Sequence, residues 1–223
     1  MSRRILVLVP LLAVASACGG GGSGEKKADF DAAGTLKQAS TAMAGVRSVA
    51  FRMESEGKPP LTVNGGDVKL LRNGDAQGTL TMRQSGMNIE MKVVATGNSV
   101  YLNPGTGGWQ KLPRALAALR YDPSAVLDPD RGIVGLLGSV RAPKAEAVEK
   151  VNGKEAYRVA GTLPKDRVAG LLPGVGSDID GKVWVGKADH RLLKVRGVFP
   201  GGKDAVVVSF TEFDAPYKIS APR

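Results

Sequence analysis

The sequence predicts an α+β fold in which one antiparallel sheet is backed by helices. Three observations predict it. Segments spread from residue 49 to residue 213 alternate apolar and polar residues with period two, and turn dipeptides such as Asn73-Gly74, Asn152-Gly153 and Gly201-Gly202 separate them. Ahead of them, Phe30 to Val46 repeats apolar residues at three- and four-residue steps instead. One cysteine, Cys18, and one histidine, His190, in 223 residues leave no intrachain disulfide and no thiolate metal cluster to substitute for a core.

The elements follow in order. Arg3 and Arg4 precede a short apolar run, Ile5 to Val14, which has the charge-then-apolar layout of a signal peptide and is too short to span a bilayer. Small residues then end on Cys18, as in the lipobox of bacterial lipoproteins, although Ala15 stands where that motif usually has leucine. Residues 1–17 are therefore expected to be a signal peptide, 18–30 a lipidated cysteine with a flexible linker, and 31–223 a single domain large enough to bury a core. An ordinary cleaved signal with a free thiol is the plainer alternative. The linker centres on Gly19 to Lys27, whose glycines and serine average roughly 16–19 Å end to end over such a length.

Phe30, Ala33, Leu36, Ala39, Met43 and Val46 mark one face of a helix, with Asp29 or Asp31 as N-cap and Gly45 as stop. Strands follow: Val49, Phe51 and Met53; Ala76, Gly78, Leu80 and Met82; Met87, Ile89, Met91 and Val93; then Ser99 to Leu102. They read as a meander with one apolar and one wet face. Gly78 is expected to leave space beside Leu80. Asp122-Pro123 and Asp128-Pro129 each fit an N-cap followed by proline, giving two short helices in series, the second through Ile133, Val134, Leu136 and Leu137. Strands resume at Ala145 to Val151 and Ala156 to Ala160, a helix at Lys165 to Leu172, and three strands at Ile179 to Val185, Leu192 to Phe199 and Ala205 to Phe213. Ala215 to Arg223 reads as an extended end.

Charge and composition narrow the function. Net charge is +10, which points to anionic partners, yet aromatics are 5% and no compact Lys/Arg run appears, so nucleic acid lacks its stacking and groove-reading residues. Anionic lipid headgroups suit an exported, anchored protein better, at about 1 kcal/mol per basic residue near the surface. No G-x-S-x-G elbow accompanies His190, which reads as part of a turn at Asp189-His190, and no catalytic residue, metal or cofactor is expected. Met53, Met82, Met87 and Met91 fall on the apolar faces of the early strands. Such a stripe is ordinary core on its own, though methionine also suits surfaces that repack around guests.

The order of anchor, linker, helix and meander, then Tyr121-Asp122-Pro123, Leu127-Asp128-Pro129-Asp130, Gly132 and Val183-Trp184-Val185, resembles the mycobacterial LppX/LprA/LprF/LprG lipoproteins across about residues 35 to 220. The resemblance implies a LolA-like fold, a curved half-barrel with helices across its concave face enclosing an apolar cavity. It also implies a non-enzymatic, monomeric carrier of acylated lipids or glycolipids, held on the extracytoplasmic face of the cell membrane through Cys18, with a membrane lipid exporter as a further partner and no nucleic acid. The cavity positions it implies are Phe51, Met53, Leu80, Met82, Ile89 and Met91 on the sheet, and Leu127, Ile133, Leu136 and Leu137 on the helical lid. A closed apolar void well over 1,000 Å³, larger than the usual pocket of about 300–1,000 Å³, would favour lipid. A filled core would favour the alternative, a protein-interaction or sensor module on the same fold.

Overall fold

A computed structural model describes residues 28–84, 86–119 and 121–223. The signal-peptide run, Cys18 and the linker to Lys27 lie outside the described residues, as does the Ser85 half of the Ser85-Gly86 turn. The chain forms one antiparallel sheet of 11 strands, an open half-barrel with helices on one face. Helix α1, Ala32–Ala44, begins where the Asp31 carboxylate accepts the Gly34 N–H at 3.0 Å and buries Leu36, Ala39 and Met43. Strands β1 (Ser48–Glu56), β2 (Val63–Leu71), β3 (Ala76–Gln84), β4 (Met87–Thr96), β5 (Ser99–Asn103) and β6 (Gln110–Pro113) then step outward as a meander.

From the β6 edge the chain crosses to the opposite edge through α2 (Arg114–Ala118), a 3-10 turn at Pro123–Leu127 and α3 (Ile133–Leu137). Strands β7 (Arg141–Val151), β8 (Lys154–Leu163), β9 (Ile179–Gly186), β10 (Leu192–Val198) and β11 (Ala205–Phe213) step back inward, with α4 (Lys165–Leu171) between β8 and β9. The order is therefore β6-β5-β4-β3-β2-β1-β11-β10-β9-β8-β7, two meanders joined where β1 pairs with β11. Because the crossing segment must connect the two edges, its helices lie across one face.

That face is the apolar one. Helix α1 packs on α3 and on β7, β8 and β9, the 3-10 turn on β2, and the Ser40 hydroxyl donates to the Val134 carbonyl at 3.1 Å. Under these helices Val159, Val183, Val185 and Leu192 are at most 1% exposed. Asn152 and Gly153, at φ 49° and 79°, make the left-handed hairpin turn that their dipeptide predicts. His190, at φ 53°, sits in the turn between β9 and β10, where its backbone N–H donates to Gly186. The C-terminal end runs without regular structure along the opposite face, where Ser48 donates to the Ala215 carbonyl and Tyr217 to Glu212.

Three elements go beyond the sequence reading, and one expectation is corrected. Strand β2 was not anticipated, because Gly65-Gly66 interrupts its alternation; β6 and α2 are too short to show a period. The second Asp-Pro pair does not open a helix: the Asp128 carboxylate accepts the N–H groups of Asp130 and Arg131, both at 2.9 Å, and closes a turn. Helix α3 starts four residues later behind Gly132, where a Cβ would come within 2.4 Å of the Ala125 and Val126 carbonyls, so only glycine fits.

Candidate functional site

Register assembles the apolar face into cross-strand rows. Phe51 pairs with Val68, Val68 with Gly78, Gly78 with Val93 and Val93 with Leu102. One step along, Met53 pairs with Gly66, Gly66 with Leu80 and Leu80 with Met91; beyond that Val63, Met82 and Ile89 align. Paired residues share a face, so all six sheet positions singled out in the sequence come together on the helix-bearing side. Their charged neighbours Arg52, Asp67, Glu90 and Lys92 point the other way by strict alternation. The strip itself holds no ionisable side chain.

Burial divides the predicted residues. Met53 is 7% exposed and belongs to the core, while Phe51, Leu80, Met82, Ile89 and Met91 are half-buried and Met87, at the tip of the hairpin, is 67% exposed. Apolar surface on β3 and β4 is therefore left without a protein partner. Leu127, Ile133, Leu136 and Leu137 are 1–6% exposed in the main core, where they join the helices to the sheet.

Gly78 does not provide open space. A Cβ there would lie 2.2 Å from the Asp67 carbonyl, and one at Gly66 would lie 2.6 Å from that of Thr79, so the two glycines let β2 and β3 press together and leave bare backbone in the middle of the strip. Val63, Val68, Val93 and Leu102 line the same rows and were not named from sequence. The alternation of β2 around its glycine pair was the available signal for the first two.

Two grooves, of about 410 and 580 Å³, lie on the opposite polar face, so neither is the large apolar void that the resemblance implies. Among the described residues no three His, Cys, Asp or Glu side chains converge as a metal site, and no helix is long and apolar enough to cross a membrane.

The model of the LppX_LprAFG lipoprotein family matches residues 31–219. The chain belongs to that family. It is 27% identical to the lipoarabinomannan carrier protein LprG of Mycolicibacterium smegmatis, with 86% of this chain and 83% of that protein aligned. To the lipoarabinomannan carrier protein LprG of Mycobacterium leprae it is 24% identical over 99% of this chain and 96% of that protein. The crystal structure of LprF from Mycobacterium bovis superposes with a TM-score of 0.76 at 20% identity, covering 86% of this chain and 96% of that one. LppX of Mycobacterium tuberculosis superposes at 0.63 and 18% identity, covering 84% and 97%. The structural likenesses establish the half-barrel fold, and the family match places the chain among the LppX_LprAFG lipoproteins.

Proposed function

We propose that the protein binds acylated lipids or glycolipids along the uncovered part of its apolar face and carries them within the cell envelope, anchored to the membrane through a lipidated Cys18. The half-buried rows on β3 and β4 carry this reading. They form an uncharged surface rich in methionine beside the buried core. Each methylene leaving water contributes about 0.8 kcal/mol, and the bilayer offers the same gain, so a carrier needs near parity rather than tight grip. Soft thioether side chains provide tolerant contacts of that kind. Extraction of the purified, unacylated protein followed by mass spectrometry should reveal bound lipid, and a triacylated glycolipid should be taken up. Absence of both would overturn the reading.

The anchor is tested separately. Cys18→Ala should leave the domain folded and shift the protein from the membrane fraction to the medium, or leave its signal peptide uncleaved. Normal processing and membrane retention would rule out lipidation at Cys18. A second reading, a module that takes up a partner segment, draws on the edge of β4: β5 pairs only with Lys92–Thr96 and leaves the backbone of Met87 to Met91 free on that side.

A further inference from the structure

The polar face of the same strands carries a groove built from an omission. Glu54 pairs with Gly65, Gly65 with Thr81 and Thr81 with Glu90, so a row of polar side chains is broken by one missing Cβ. The groove of about 580 Å³ centres on this row. One wall is the ion pair of Arg52 and Asp67 at 2.8 Å. The other is Asn64, 8% exposed, whose Nδ2 donates to the Asn88 Oδ1 at 2.9 Å. A second groove of about 410 Å³ shares Asp67 and Thr79 with the first and extends to Trp109.

Three carboxylates, Glu54, Asp67 and Glu90, and two guanidiniums, Arg52 and Arg83, line the larger groove. In a chain of net charge +10 this balance is distinctive. It disfavours an anion, and these carboxylates do not converge as a metal site. Interleaved donors and acceptors around a shallow floor, with an aromatic face at one end, match a neutral polyhydroxylated ligand, each hydroxyl of which both donates and accepts.

We infer that the two adjoining grooves form a carbohydrate-binding site, with Gly65 as the floor of the larger, Thr81 and Glu90 as hydroxyl partners there, and Trp109 as a stacking surface at the far end of the smaller. It lies on the opposite side of the sheet from the apolar strip and does not rest on the lipid reading. The sugar is a free oligosaccharide or the glycan of a glycolipid; the chemistry at the groove is the same.

The test uses three probes: mannotetraose, the same tetraose linked to dipalmitoylglycerol, and dipalmitoylglycerol alone. Trp184 is buried at 5% exposure, so Trp109 reports on the groove by fluorescence. Mannotetraose should bind saturably and change the Trp109 emission. Gly65→Leu should abolish this without unfolding the protein, since a Cβ at Gly65 meets its nearest atoms at an ordinary 3.5 Å. Glu90→Gln, which adds no atoms, should weaken binding about tenfold by removing a charged acceptor. Weakening of both the lipid-linked and the free tetraose by Gly65→Leu identifies the glycan of a glycolipid as an accepted source; weakening of the free tetraose alone identifies a free oligosaccharide. No saturable binding of either sugar probe to the wild-type protein, or unchanged affinity in Glu90→Gln, overturns the inference. Dipalmitoylglycerol alone should bind wild type and both variants equally, and its failure to bind the wild type would count against the lipid reading only.

Discussion

The same face of the same sheet behaves differently at its two ends. On β8 to β10, Val159, Val183, Val185 and Leu192 are at most 1% exposed, whereas on β3 and β4 the equivalent inward positions, Leu80, Met82, Ile89 and Met91, are only half-buried despite being as apolar. Alternation sets which face a side chain takes; it does not set what covers it. Cover comes from the helices, and α1 docks over β7, β8 and β9. Composition differs at these positions, since valine predominates among the closed ones and Met82 and Met91 stand among the open ones, consistent with one set built for a fixed fit and the other for changing contacts.

The largest effect expected from this contrast is on stability. Leu192→Ala should cost about 2–5 kcal/mol, because it leaves a cavity in a packed interior. Leu80→Ala, at a half-buried position, should cost about 1 kcal/mol. Paired chemical denaturation curves measure both, and equal costs would mean that the β3–β4 face is packed as tightly as the rest.

Next in size is a change that separates stability from binding. Leu80→Trp in a filled core would overpack and destabilise by about 1–3 kcal/mol. On an uncovered strip the indole occupies space meant for a guest, so the variant should melt close to wild type yet lose uptake of a triacylated glycolipid. A strongly lowered melting temperature, or normal uptake in a stable variant, would remove Leu80 from the proposed lipid surface. The bare backbone at Gly66 and Gly78 sharpens this expectation, since an indole lying over it meets no side chain there.

Much of this arrangement is legible in the residues. The cap at Asp31, the turn at Asn152-Gly153 and the shared face of Met53, Leu80, Met82 and Met91 follow from spacing and turn chemistry, and the structure places each as expected. What escaped is what long-range contact decides. Val63-Asn64-Gly65-Gly66 does not alternate because its glycines serve the approach of β2 to β3 and the groove behind them. Asp128-Pro129 has the composition of a helix start, yet Asp128 spends its acceptors on a local turn, and the helix waits for Gly132, whose neighbours are carbonyls of the preceding 3-10 turn. Which inward residues are covered depends on where α1 lands, and no local pattern encodes that.

The smallest expected effect tests the closed half from its polar side. On the outer face of β7 to β9, Arg158 pairs with Glu146 at 2.8 Å and with Glu149 at 2.9 Å, and the Trp184 indole N–H donates to Glu149 at 2.5 Å. That indole donor, and then the Arg158 charge, hold the Glu149 carboxyl below its ordinary 4.5, against partial burial that works the other way. A carboxylate with a depressed folded-state pKa adds stability that is fully present above 4.5 and is lost as pH falls through the lower folded value. Glu149→Gln still accepts from Trp184 but carries no charge, so it should be slightly less stable than wild type at neutral pH and should lose less on acidification. The gap between the two denaturation midpoints should therefore narrow as pH falls below 4.5, with amide exchange in β7 and β9 of the wild type rising over the same range. A gap that stays constant with pH would show that neither the indole nor Arg158 favours the charged form of Glu149 in the folded state.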